Sequence, residues 1–178
     1  MSLPMKPLLT SDTIEKRVKE LGAKITADYR HKDLVVIGVL KGSFIFLADL
    51  VRQIHLPLQV EFIGVSSYEG TKSTGEVRIT CDLSIEVKDK DILVVEDIVD
   101  TGHTIDFLLH SLQVRKPKSL KIAALLSKPE AHVMDHKVDY TGFEISKEFV
   151  IGYGLDLDGA YRGLKDIMQV IEGPTNPQ

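Results

Sequence analysis

The most informative segment of the chain is VVEDIVDTGHT, residues 94–104. Its first residues belong to an apolar run that begins at Ile92, and such a run predicts a buried strand. The threonine and glycine that follow predict a short turn into a helix. Because ligands bind at the carboxyl ends of strands in an open parallel sheet, we expect the chemistry of the protein in this segment.

The rest of the chain alternates between apolar runs and segments of helical periodicity. Further strands covered on both faces are predicted at residues 34–40 (LVVIGVL) and 120–126 (LKIAALL). Helices are predicted at residues 12–30, 44–53 and 104–114, and Asp12 with Glu15 forms a capping box at the start of the first. This alternation predicts one α/β domain over residues 1–178, an open, mainly parallel twisted sheet flanked by helices.

Two regions depart from this alternation. Residues 66–76 (SSYEGTKSTGE) are polar and lie between predicted strands at 60–65 and 77–83, so we expect a flexible loop or lid. After residue 138, short strand-like pieces occur at 140–145, 149–151 and 167–171. We expect them to form, with the N-terminal segment, a small accessory lobe (the hood) on the main sheet.

Composition narrows the classes of function. The 178 residues carry a formal net charge of −4, which excludes the basic field of a typical nucleic-acid binder. The sequence has neither a signal peptide nor an apolar stretch approaching the ~20 residues that cross a bilayer. Its single cysteine, Cys81, can form no intrachain disulfide and indicates a reducing compartment. We therefore predict a cytoplasmic protein that binds neither nucleic acid nor membrane.

The turn within residues 94–104 has the chemistry of an anion cradle. Thr101 and Thr104 offer hydroxyl groups, and Gly102 lets backbone N–H groups at a helix N-terminus approach a ligand. A bare Asp-Thr-Gly before a helix is also typical of an ordinary N-cap. The length of the whole pattern favours a phosphate site.

Three acids stand beside this cradle and would repel a phosphate unless they bind hydroxyls, a cation or a proton. Glu96 and Asp97 suit ribose hydroxyls and Mg²⁺. Asp100, at the end of the turn, suits a general base.

The segment VVEDIVDTGHT resembles the phosphoribosyl-pyrophosphate signature of the type I phosphoribosyltransferases. The resemblance implies that Thr101 to Thr104 hold the 5′-phosphate. The whole ribose and 5′-phosphate site comprises Glu96, Asp97, Asp100, Thr101, Gly102, His103 and Thr104. His103 stands where relatives carry lysine or a small polar residue, so the role of its side chain stays open. The other histidines, at positions 31, 55, 110, 132 and 136, show no ligand spacing, and we expect them at the surface.

From about residue 7 to 172 the chain is similar to the hypoxanthine-guanine phosphoribosyltransferases. In that family the turn matching Leu40-Lys41-Gly42-Ser43 binds pyrophosphate and contains a cis peptide before the lysine. Ser67 and Tyr68, followed by residues 73–75, resemble the flexible loop that closes over the transition state and would exclude water from it.

The same resemblance implies a purine site and the rest of the pyrophosphate site. Lys128 matches the lysine that holds the purine 6-oxygen, while Phe149 and Val150 match the stacking aromatic and the backbone that reads the purine edge. Asp156 matches a residue beside the purine that binds Mg²⁺ together with Glu96 and Asp97. Arg162 matches a pyrophosphate-binding arginine.

The implied function is Mg²⁺-dependent transfer of the phosphoribosyl group from phosphoribosyl pyrophosphate to hypoxanthine or guanine, in a homodimer or homotetramer. The bases cannot be ranked from sequence, and xanthine is not excluded. A non-catalytic regulator that kept the phosphoribosyl site is the alternative from another class. Such a regulator would lack the base-reading residues or carry an added basic segment that binds nucleic acid. It is disfavoured because Lys128, Phe149 and Asp156 are present and the sequence shows no such basic segment.

Overall fold

The computed structural model of the protein describes residues 3–67, 77–134 and 136–171. The elements in chain order are β1 (Met5–Leu9), α1 (Ser11–Asp28), β2 (Leu34–Leu40), α2 (Phe44–Gln53), β3 (Leu58–Ser67), β4 (Val77–Cys81), β5 (Asp91–Val99), α3 (His103–Gln113), β6 (Ser119–Ser127), β7 (Tyr140–Glu144), β8 (Val150–Ile151) and β9 (Ile167–Val170). A short 3-10 helix, Pro129–Ala131, follows β6. None of the helices in these ranges is long and apolar enough to cross a membrane.

The main sheet has six strands in the order β4-β3-β2-β5-β6-β7. All neighbouring pairs are parallel except β3 and β4, so the predicted open, mainly parallel sheet is confirmed. The chain leaves β2 through α2 towards one side and leaves β5 through α3 towards the other. Ligands bind at such a reversal of strand order, which here lies between the carboxyl ends of β2 and β5.

Helices cover both faces of this sheet, which explains why its strands read as continuous apolar runs. Along β2, Leu34 and Val36 pack in the core shared with α1 and α2. The alternate residues Val35, Ile37 and Val39 pack in the core beneath α3. Two apolar layers therefore hold the central strands and leave the strand ends to carry the polar residues.

Two boundaries differ from the predictions. The predicted capping box is wrong, because α1 begins one residue before Asp12 and its N-cap is Thr10, whose hydroxyl accepts from the Thr13 N–H at 3.4 Å. The strand predicted to end near Val95 continues to Val99, because its backbone stays paired with β6 to that point. Glu96 and Asp97 are thus fixed in a strand.

A small antiparallel sheet in the order β1-β9-β8 forms the hood. It contains the N-terminal segment and two of the predicted pieces, but the assignment of residues 140–145 to the hood is wrong. Tyr140–Glu144 is β7, which pairs in parallel with β6 at the edge of the main sheet. In the described part of the link between β6 and β7, the one helix is a 3-10 helix, so the alternation that identified the other strands is missing there.

Candidate active site

The turn between β5 and α3 has the backbone of the predicted cradle. Gly102 is the N-cap of α3 with φ 91°, a left-handed conformation that favours glycine. The side chain of Met134 lies against the place where a Cβ atom at Gly102 would stand. No feature of the sequence pointed to Met134. On the other side, Thr101 and His103 are exposed at the helix N-terminus, where an anion would bind.

The ends of β2 and β5 are in direct contact. The peptide between Leu40 and Lys41 is cis, as the resemblance implied. A Cβ atom at Gly42 would overlap the carboxylate of Asp97, and one at Gly154 would overlap the carbonyl oxygen of Gly42. Gly154 was not among the predicted site residues, although the Gly-Tyr-Gly run at 152–154 was an available signal. The segments that carry Gly42, Asp97 and Gly154 thus pack so closely that neither glycine has room for a side chain.

A hairpin of the hood brings Asp156 and Arg162 to the same place. The guanidinium of Arg162 lies 2.7 Å from Asp156 Oδ1 and donates to the Gly154 carbonyl at 2.7 Å. The backbone N–H of Gly159 donates to Asp156 Oδ2 at 2.7 Å. Both charges reach Asp97, whose pKa Arg162 lowers and Asp156 raises. The charges of Asp97, Asp156 and Arg162 therefore influence one another, and Gly42 packs against Asp97.

Two adjacent acids of β5 are held in an unfavourable environment. Burial, and then the charge of Asp97, raise the pKa of Glu96 well above its usual value. Burial raises the pKa of Asp97 to about 6, although the N–H of Ile98 opposes this. Glu96 Oε2 has no hydrogen-bond partner among the described residues. A bound cation or hydroxyl donor would stabilise the ionised carboxylates of Glu96 and Asp97.

The structure also joins the predicted general base to the predicted purine-binding lysine. Lys128 Nζ lies 3.0 Å from Asp100 Oδ2, and the Asp100 side chain is 53% exposed. The backbone N–H of Lys128 donates to the Val99 carbonyl at 2.9 Å. A donor-only group that is 14% exposed and a more exposed acceptor thus stand side by side at the ends of β5 and β6.

The hood presents the predicted stacking aromatic. Phe149 is 43% exposed, while its neighbour Val150 is buried. The carbonyl of Phe149 accepts from the Val170 N–H at 2.9 Å, which ties this end of β8 to β9. The aromatic face of Phe149 is therefore available to a flat ligand.

Not every predicted grouping is present. Within the described ranges, no three His, Cys, Asp or Glu side chains stand close enough to enclose a metal ion, so Glu96, Asp97 and Asp156 form no closed cage. Tyr68 and residues 73–75 of the predicted flexible loop lie outside the described residues, and Ser67 is the last residue of β3. The expectation that His132 lies at the surface is wrong, because its ring is half-buried near Ser127 and Val99.

Comparison with known proteins gives a consistent result. Residues 5–158 match the phosphoribosyl transferase domain family; Arg162 falls just beyond that match. The chain is 46% identical to the hypoxanthine-guanine phosphoribosyltransferase of Bacillus subtilis, over 89% of each chain. The structure resembles a Bacillus anthracis hypoxanthine-guanine phosphoribosyltransferase with a TM-score of 0.90 and 41% identity, covering 94% of this chain and 100% of the other.

A third relative is the hypoxanthine phosphoribosyl transferase of Trypanosoma cruzi, in a structure concerned with the role of the C-terminal region in oligomeric state and activity. Its TM-score is 0.88 at 41% identity, covering 93% of this chain and 90% of that one.

Proposed function

This chain belongs to the phosphoribosyltransferase family, and we propose that it transfers the 5-phosphoribosyl group from phosphoribosyl pyrophosphate to hypoxanthine or guanine. The products are IMP or GMP and pyrophosphate, as expected of an enzyme of purine salvage. The names of its relatives support the reaction. The observation that carries the choice of base is the pairing of Lys128 with Asp100 at 3.0 Å.

The Lys128–Asp100 pair is complementary to one edge of a 6-oxopurine. O6 and N7 lie side by side on that edge, so the ammonium of Lys128 donates to O6 while Asp100 accepts the proton from N7. Removal of that proton raises the electron density at N9 as N9 attacks C1 of the ribose. Phe149 offers the exposed aromatic surface on which the base stacks, and Val150 supplies backbone groups at its edge.

The other side chains hold the second substrate. The turn from Thr101 to Thr104, including His103, binds the 5′-phosphate mainly through backbone N–H groups at the start of α3. Lys41 and Arg162 place positive charge around the leaving pyrophosphate. Glu96 and Asp97 face the ribose hydroxyls and orient C1 for attack. We further propose that Ser67 and Tyr68 belong to a loop that closes over the reacting sugar.

The acids of the site fit Mg²⁺. Carboxylate oxygens are its preferred protein ligands, and it is commonly held by one or two carboxylates plus substrate phosphates, so a closed cage of three is not needed. The raised pKa values of Glu96 and Asp97 and the unpartnered Glu96 Oε2 indicate a region that a cation would stabilise. Asp97 and Asp156, with Glu96 behind them, would hold the ion. When bound, Mg²⁺ neutralises charge on the pyrophosphate.

We also propose a homodimer or homotetramer. Phe44 on α2 and two residues of β3, Val60 and Phe62, are each about 40% exposed, and exposed apolar side chains of this size are candidates for an interface. A cytoplasmic location is supported by the exposed Cys81, whose thiol is free and is the only one in the sequence.

Initial rates with each free base test the reaction. The purified protein is mixed with phosphoribosyl pyrophosphate, Mg²⁺ and either hypoxanthine, guanine, xanthine or adenine, and pyrophosphate release is measured. We expect turnover with hypoxanthine or guanine and almost none with adenine. Binding of phosphoribosyl pyrophosphate without turnover of any base would favour the non-catalytic regulator.

A further inference from the structure

The segment after β6 lies along the turn that precedes α3. Consecutive residues of this segment contact the turn in order: His132 faces the Val99 carbonyl, the Val133 N–H donates to the Thr101 carbonyl at 2.9 Å, and Met134 covers Gly102. The segment that carries the purine-binding lysine therefore also supports the phosphate-binding turn.

Within this contact, the ring of His132 touches both strands. Its Nε2 atom lies 3.3 Å from the Val99 carbonyl oxygen of β5 and 3.2 Å from the Ser127 hydroxyl of β6. A carbonyl oxygen can only accept a hydrogen bond, so the acceptor chemistry requires that Nε2 carries the hydrogen. The Ser127 hydroxyl, which is 3% exposed, then shares the same N–H as an acceptor.

The two groups that His132 joins directly precede the two groups of the purine site. Val99 is followed by Asp100 and Ser127 by Lys128. A shift of either strand end would alter the 3.0 Å separation of the Asp100 and Lys128 side chains. The backbone bond from the Lys128 N–H to the Val99 carbonyl already joins these strand ends. We propose that His132 is a positioning residue, which adds to that bond through Nε2 and so fixes the spacing of the base-recognition pair. This inference rests on the proposed function.

The identity of the bonding nitrogen gives a specific test. The amide nitrogen of glutamine reaches about as far from the backbone as Nε2, whereas that of asparagine reaches only as far as Nδ1. We therefore expect His132→Gln to retain most of the function, and His132→Asn and His132→Leu to lose it. His110→Leu, at an exposed histidine near the end of α3, is the matched control.

The readout is the KM for hypoxanthine beside the KM for phosphoribosyl pyrophosphate. Misplacement of about 1 Å costs up to ~10²-fold, so we expect the KM for hypoxanthine to rise on the order of 10-fold in the Leu and Asn variants. The KM for phosphoribosyl pyrophosphate should stay within twofold. KM does not depend on the amount of folded enzyme, so a variant that is merely unstable would lose Vmax and keep both KM values.

Three results would overturn the proposal: a KM for hypoxanthine within twofold of wild type in the Leu variant, equal losses for Gln and Asn, or an equal rise in both KM values. If the Leu variant does not fold, Ser127→Ala removes one of the two acceptors. It should raise the KM for hypoxanthine about threefold, and an unchanged value counts against the idea. Failure of the wild type to use any 6-oxopurine would instead refute the proposed function.

Discussion

Polar side chains are buried at both ends of the main sheet, but their surroundings differ. At the amino end, the buried Asp91 accepts from the Ser119 hydroxyl at 2.6 Å, and the Tyr140 hydroxyl donates to Asp28 at 2.7 Å. At the carboxyl end, Glu96 and Asp97 stand next to each other in β5, and Glu96 Oε2 has no partner among the described residues. Unpartnered buried atoms occur at both ends, since the Tyr29 hydroxyl and Asp91 Oδ2 at the amino end also lack a hydrogen-bond partner among the described residues. The difference is that two adjacent carboxyl groups are buried together at the carboxyl end.

The pKa values show what this difference means. At the amino end, burial and neighbouring acids raise the pKa of Tyr29 and Tyr140, but a phenol is already neutral at pH 7, so the rise costs no stability there. At the carboxyl end, burial raises the pKa of Asp97 to about 6, which disfavours the ionised form that a ligand site needs. We infer that the polar residues at the amino end stabilise the fold, whereas those at the carboxyl end form the proposed ligand site.

Removing Mg²⁺ should have the largest effect, and it should act at the carboxyl end alone. Excess chelator should abolish turnover, because Glu96, Asp97 and Asp156 stand among groups that bind anions and need a cation between them and the pyrophosphate. Circular dichroism should show an unchanged fold, and added Mg²⁺ should restore the rate. A forward rate within twofold of the untreated enzyme would contradict the metal assignment.

Replacing the proposed general base, Asp100, comes next. Asp100→Asn should lower kcat by about 10² to 10⁴, the usual contribution of a positioned base. Calorimetric binding of the 5′-nucleotide should largely survive, because the cradle from Thr101 to Thr104 is kept. A near-normal kcat would move the base role to another group.

Lys128→Ala should collapse the selectivity for 6-oxopurines. The ammonium has only donors, so it satisfies O6 of hypoxanthine and opposes the 6-amino group of adenine; a site of this type can discriminate by about 10⁴. The measurement is kcat/KM for both bases in both proteins. If the ratio does not change, selectivity comes from backbone groups near Val150 and not from Lys128.

The cost of burying Asp97 at the carboxyl end can be measured as a change in the free energy of unfolding. Burial raises the pKa of Asp97 to about 6 in the native state, above the 3.8 of an ordinary aspartate, so the native state holds the proton more tightly. That stabilisation is complete below the unfolded pKa and is lost as pH rises through about 6. At pH 7, Asp97→Asn should therefore stabilise the metal-free protein by on the order of 1–3 kcal/mol.

Urea unfolding of the two proteins tests this prediction at pH 7 and again near pH 4. The gain should shrink at the lower pH, where wild-type Asp97 also carries a proton in the native state. Activity should fall in the same variant. A loss of stability at pH 7 would show that the ionised carboxylate is better solvated than its burial implies.

The smallest effect is expected at the amino end. Tyr140→Phe removes the hydrogen bond to Asp28 and should lower the free energy of unfolding by about 1 kcal/mol. The kcat should stay within twofold of wild type, because the Tyr140 hydroxyl bonds Asp28 at the end of α1 and not a residue of the proposed site. A large loss of activity in a folded variant would show that Tyr140 also contributes to catalysis.

Much of the carboxyl end could be predicted from sequence because its signals are local. The apolar run before Glu96 fixes a strand, and the glycine at 102 fixes a turn, so the position of the cradle follows from neighbouring residues. The resemblance supplied the lysine and the aromatic that local pattern alone does not identify.

The amino end, the hood and the supporting contacts could not be predicted, because they depend on pairing between distant residues. Tyr140 reads as part of the hood until its backbone is seen beside β6. His132 reads as a surface residue until the strand ends are placed on either side of its ring. Met134 gives no signal at all, since its contact with Gly102 exists only in the folded chain.

The backbone contact at Gly42 has a consequence for mutational tolerance. Gly42 is enclosed by Asp97 on one side and by Gly154 on the other, so every substitution there must displace a site residue. Gly163, in the neighbouring hairpin, has nothing within 4 Å of where a Cβ would stand. In a library that randomises both positions under selection for salvage, position 163 is free to drift, while position 42 holds a single residue.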